Sequence, residues 1–134
     1  MPPLEMGKWS MEYEIKQEDR FFEIHLNAGA SKLDVLRAVA ELARRDPGKQ
    51  HPDVWVVAPE FQIPLPHYGE VAGAIAHALP CTPVSNRSAI VAANPFQKAQ
   101  FEIYQLEAKA LAQPLEIRVF LSRKDAVEWA CSPN

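Results

Sequence analysis

Two short segments, Val54-Trp55-Val56-Val57-Ala58 and Ser88-Ala89-Ile90-Val91-Ala92-Ala93, are apolar at nearly every position and show no polar/apolar alternation. A run of this kind is expected where a strand is covered on both faces, as in the middle of a parallel sheet. Parallel strands cannot be joined by a tight turn; each needs a crossover, usually a helix. These two runs therefore restrict the chain to a layered α/β architecture.

The intervening segments supply the crossovers. Ser31 and Asp34 have capping-box spacing, and Leu33, Leu36, Val39, Ala40 and Ala43 follow as one apolar stripe. Arg44 and Arg45 suit the negative end of that helix, and Asp46-Pro47-Gly48 stops it. A second helix is predicted from about Tyr68 to Leu79, and Asn94-Pro95 starts a third that reaches about Ala112. Leu115, Ile117, Val119 and Leu121 alternate with wetter positions, which predicts a last strand at a sheet edge. Ser122 and Asp125 then cap a final helix ending near Trp129 and Ala130. Upstream, Tyr13 and Ile15, then Phe22, Ile24 and Leu26, alternate on either side of Gln17-Glu18-Asp19-Arg20 and read as an antiparallel hairpin. The expected fold is α/β: a single domain with a mostly parallel or mixed sheet of about five strands, an N-terminal hairpin and about four helices. Residues 1–11 hold two prolines and a glycine without any period, so they are expected as an arm, with the domain at 12–131.

Composition excludes several classes of function. The 134 residues fit one domain, and the 48% apolar and 23% charged content is globular. A net charge of -3 with interleaved signs lacks the basic footprint of nucleic-acid binding. Cys81 and Cys131 have neither disulfide-framework nor zinc spacing, and His25, His51, His67 and His77 do not converge on a metal motif. No metal or cofactor is expected. The first residues show no basic-then-apolar signal, and no apolar stretch approaches the roughly 18 residues of a membrane span. The sequence thus predicts a cytoplasmic protein without a membrane span.

The element order, the two buried runs and the ending Val119-Phe120-Leu121-Ser122-Arg123-Lys124-Asp125-Ala126-Val127-Glu128-Trp129 resemble the SpoIIAA-like (STAS) fold, whose members close with a strand, a polar cap and Ala-x-x-Trp or its equivalent. The resemblance extends over about Glu12 to Ala130 and implies a regulatory, protein-binding module. In the anti-sigma-factor antagonists of that group it also implies a phosphorylatable serine. The matching segment here, Ala58-Pro59-Glu60-Phe61-Gln62, carries no hydroxyl, and neither serine nor threonine occurs between Val54 and Cys81. Glu60 can supply negative charge in place of the phosphate, though with less charge and fewer acceptors; an ordinary solvated loop acid is the alternative.

Two candidate sites follow. The third helix has two apolar stripes, Phe96, Ala99, Ile103, Leu106 and Ala110 on one side and Phe101, Tyr104, Ala108 and Leu111 on the other. One faces the sheet. The second, with its Phe101/Tyr104 aromatic pair, is the candidate partner or dimer surface, core burial being the alternative. The proline-rich loop with Glu60, Phe61, Ile63, Leu65, His67 and Tyr68, together with Asn94, lies where a parallel sheet presents its strand ends, and is the candidate ligand or switch loop. The expected function is a non-catalytic STAS-like regulatory or protein-binding module without a serine switch. A small apolar ligand or lipid carrier or sensor is the alternative. An enzyme ranks last, since Glu60 and His67 are separated by prolines and have no nucleophile nearby.

Overall fold

The computed structural model describes residues 12–80, 82–111 and 113–133. Its five strands are β1 (Tyr13–Gln17), β2 (Phe22–Leu26), β3 (Asp53–Val57), β4 (Arg87–Val91) and β5 (Glu116–Phe120). They lie side by side in chain order, β1-β2-β3-β4-β5. The β1/β2 hairpin is antiparallel, with Tyr13 opposite Leu26 and Gln17 opposite Phe22, and every later pairing is parallel. Four α-helices lie among the described residues: α1 (Lys32–Arg45), α2 (Tyr68–Ala78), α3 (Pro95–Ala110) and α4 (Arg123–Cys131). The α/β class, the hairpin and the element order are those expected from the sequence. The proposed arm at residues 1–11 falls outside the described residues.

The helix starts form as their side chains dictate. Ser31 and Asp34 close a reciprocal capping box on α1, the Asn94 side chain accepts the Gln97 amide at the head of α3, and Ser122 accepts the Asp125 amide at the head of α4. Each satisfies a donor that the first helical turn otherwise leaves unpaired.

Strand order decides what covers the sheet. From β2 onward each crossover moves one place in the same direction, so crossovers of one hand deposit α1, α2 and α3 on the same face. There α1 packs on α2 and α2 on α3, whereas α4 returns across β3, β4 and β5 on the opposite face. The pleat sorts residues accordingly. The register row Ile24, Trp55, Ile90 and Val119 points to the three-helix layer, and the neighbouring row Glu23, Val54, Ala89 and Arg118 points to the α4 side.

Helix α4 is held by aromatic and cationic contacts. Trp129 packs on Phe120, and the Arg87 and Arg118 guanidiniums lie 5.0 and 5.2 Å from its ring centre. Arg87 Nη1 also donates to the Trp129 carbonyl and to Ser132, satisfying acceptors at the end of α4. The main contacts of α4 are with β3, β4 and β5, so β1 and β2 lie beside it on this face, with Arg123 reaching across to β2. There Glu14 and Lys16 are exposed, but Glu23 is only 4% exposed because Arg123 and His25 close over its carboxylate.

A candidate ligand cavity between the sheet and its three-helix layer

The three-helix layer does not close on the sheet. Between them lies a cavity of about 470 Å³, a volume typical of small-molecule sites. Trp55 on the central strand and Phe22, Leu26, Val57, Ile90 and Ile117 around it form the floor. Val35, Val39 and Leu42 of α1, Val71 and Ile75 of α2, and Phe101 and Tyr104 of α3 form the walls. Trp55, Ile75, Phe101 and Tyr104 are only partly buried despite their central positions.

A polar cluster closes the end where the parallel strands begin. The loop after α1 carries two consecutive left-handed residues, Gly48 (φ 75°) and Lys49 (φ 49°). Glycine adopts that conformation freely, but a lysine does so only when its surroundings hold it. Here the carboxylate of Asp46 accepts the backbone amides of Gln50 and His51 and the His51 ring Nδ1, all within 3.1 Å, which ties the loop into one shape. The bend sends Lys49 inward, where it is 7% exposed. Its ammonium pairs with Asp53 Oδ2 at 3.1 Å and donates to the carbonyls of His51 and Arg87. The other Asp53 oxygen accepts Ser88 Oγ at 2.5 Å and Trp55 Nε1 at 2.9 Å. Both buried ions are therefore paired and hydrogen-bonded, the condition under which buried charge is tolerated.

Tyr104 and Gln113 lie on the α3 side. Burial drives the Tyr104 hydroxyl well above its ordinary range; the Gln113 amide acts in the opposite sense and Asp53 pushes it further up. The phenol stays protonated. Gln113 Nε2 donates to the Ala72 carbonyl, and its buried Oε1 has no hydrogen-bond partner among the described residues.

The sequence-predicted positions are distributed unevenly around this site. Phe61 and Ile63 line the cavity, and Phe61 stacks on Phe101. Tyr68 is buried, edge-on to Tyr104, outside the cavity wall. Leu65 and His67 are exposed in a 3-10 turn ahead of α2. Asn94 serves as the α3 cap. Glu60 is exposed in the turn closed by the Phe61 amide and the Ala58 carbonyl.

Two expectations need correction. Phe101, Tyr104 and Ala108 do not form a free surface: Ala108 is 2% exposed, and both aromatics pack against the main core cluster; of that stripe Leu111 alone is exposed. The free stripe is the other one, with Phe96 70% and Leu106 67% exposed. The physical reason is the aromatic complement that the layer offers, Phe61 to Phe101 and Tyr68 to Tyr104. The expected position at the carboxyl ends of the strands is also displaced. Gln97 seals that end, bonding Ala93, Ala58 and Phe61. Strands in simple sequential order have no switch point at which neighbouring crossovers diverge.

Lys49, Asp53, Ser88 and Gln113 were not singled out from the sequence. The one signal available was a charged residue, Asp53, directly abutting an apolar strand. Among the described residues no group of three or more histidine, cysteine, aspartate or glutamate side chains could hold a metal ion, and no helix is long and apolar enough to cross a membrane. No family model, curated protein or solved structure matches this chain.

Proposed function

We propose that the protein is a carrier or sensor that takes a small apolar molecule into the cavity between its sheet and its three-helix layer. The observation that carries this reading is an apolar space of about 470 Å³ in the middle of a domain of 134 residues. Interiors are ordinarily packed with few voids larger than a water molecule. At roughly 24 cal/mol per Å³, filling only a tenth of such a volume is worth about 1 kcal/mol. A chain selected for packing alone would gain by placing larger side chains there. Native mass spectrometry of the full chain, with melting measured against a lipid and metabolite panel, tests the reading. Retained or added apolar mass and a raised Tm are expected, and both are lost in Ile75→Trp, whose indole occupies the cavity. A clean apo mass with no stabilisation by any compound overturns it.

The expected STAS-like regulatory, protein-binding role is the second reading, and one observation favours it: the exposed Phe96, Ile103 and Leu106 stripe of α3. Contiguous apolar surface of this kind marks association. Phe96→Asp with Leu106→Asp is expected to abolish self-association or partner capture while changing the unfolding free energy by no more than about 1 kcal/mol. Unchanged association removes the support. No catalytic role is proposed.

A further inference from the structure

We propose that the cavity selects an uncharged ligand, an apolar body carrying one hydroxyl or carbonyl group, and rejects ionised amphiphiles of the same size. This rests on the ligand-binding reading above and adds the chemistry of the head group. The case comes from which polar groups around the cavity are already committed. An ammonium has three donors, and those of Lys49 face Asp53 Oδ2, the His51 carbonyl and the Arg87 carbonyl. Asp53 answers Lys49 with one oxygen and Ser88 and Trp55 with the other. Asp46 holds two backbone amides and the His51 ring. Among the described residues that line the cavity, an entering carboxylate finds no unpaired cation and an ammonium no unpaired anion. Either would be stripped of water without a counter-ion, which is far more costly than desolvating a hydroxyl.

What remains is neutral. Tyr104 borders the cavity with its hydroxyl protonated, and its oxygen accepts from the Gln113 amide, which leaves the phenol's own proton to be donated. It can donate to a ligand oxygen. Gln113 donates from Nε2 to the Ala72 carbonyl and leaves Oε1 unpartnered among the described residues; a small rotation of that amide lets Oε1 accept a ligand hydroxyl. A polar atom buried without a partner is uncommon enough to ask what completes it. An alcohol matches both groups, and a ketone, aldehyde or amide carbonyl matches Tyr104.

The test uses four probes with one hydrocarbon chain: n-octanol, chlorooctane, octanoate and octylamine. Each is titrated calorimetrically into the full chain below its micelle or solubility limit, at a pH where the acid is ionised and the amine protonated. Octanol is expected to bind about fivefold more tightly than chlorooctane, in line with one hydrogen bond, and at least about tenfold more tightly than octanoate or octylamine. Tyr104→Phe is expected to bring octanol down to the chlorooctane level while leaving chlorooctane unchanged. The ranking in the native chain reads the inference even if that variant does not fold. Octanoate or octylamine binding as tightly as octanol overturns it, as does equal binding of octanol and chlorooctane; in both cases the cavity still takes apolar ligands. Binding of none of the four overturns the cavity reading and the head-group inference together.

Discussion

The two faces of one sheet are packed in opposite ways. On the α4 side, small residues meet under the helix, where Val54, Ala89 and Ala126 are 0% exposed, while Phe120 and Trp129 beside them are partly buried. On the three-helix side the residues are larger, Trp55, Phe101, Tyr104 and Leu115 among them, yet these are only partly buried around an open cavity. Residue size therefore does not predict tightness. A single helix lying across three strands can settle until its alanines touch the sheet. Three helices packed side by side are held apart by one another as well as by the sheet.

The contrast is broken most directly by adding volume to each side. Ala126→Leu is expected to cost about 1–3 kcal/mol, because a closed layer must strain or shift to admit it. Ile75→Trp, which adds more volume on the cavity side, is expected to cost about 1 kcal/mol or less because the ring enters empty space. Urea unfolding of both variants checks the pair, and equal losses would show that the two layers are packed alike.

A smaller effect is expected where the α4 side is left open. Glu23 is desolvated, which by itself raises its pKa, but the hydrogen bonds from Arg123 and His25 outweigh this and hold its carboxyl below its ordinary value of 4.5. A carboxylate with a lowered folded-state pKa adds stability above its ordinary value, and that contribution is lost as pH falls through the lowered one. Arg123 is half exposed, so Arg123→Gln is expected to cost only about 0.2–1 kcal/mol near neutrality. The difference from the native chain should shrink toward zero as the pH drops below 4.5 and Glu23 takes up a proton. Denaturation midpoints across that range decide it; a difference independent of pH would assign the loss to packing of the arginine stem.

The legibility of the sequence follows the range of each interaction. The caps at Ser31, Asn94 and Ser122 form as read, since each depends on residues three positions apart. The strands at Val54 and Ala89 were legible because a doubly covered strand has an apolar residue at each position, whichever way it faces. The candidate site was less legible. Phe61 and Ile63 were named as ligand-facing residues and line the cavity, but Lys49, Asp53 and Ser88 read singly as loop and strand-end polar residues. Their meeting joins a left-handed loop residue to two adjacent strands, and nothing local in the sequence marks it.

By itself, then, the sequence determined the periodicities: which segments become strands and helices, where helices start and stop, and that strands and helices alternate into an α/β sheet. Those are properties of neighbours along the chain. The tertiary structure alone decided which of the two apolar stripes of α3 meets the sheet, that all three crossover helices share one face, and that their layer stands off the sheet around a cavity. Each of these depends on strand order and on packing among side chains distant in sequence, where a periodic pattern shows that a face is apolar but not what will cover it.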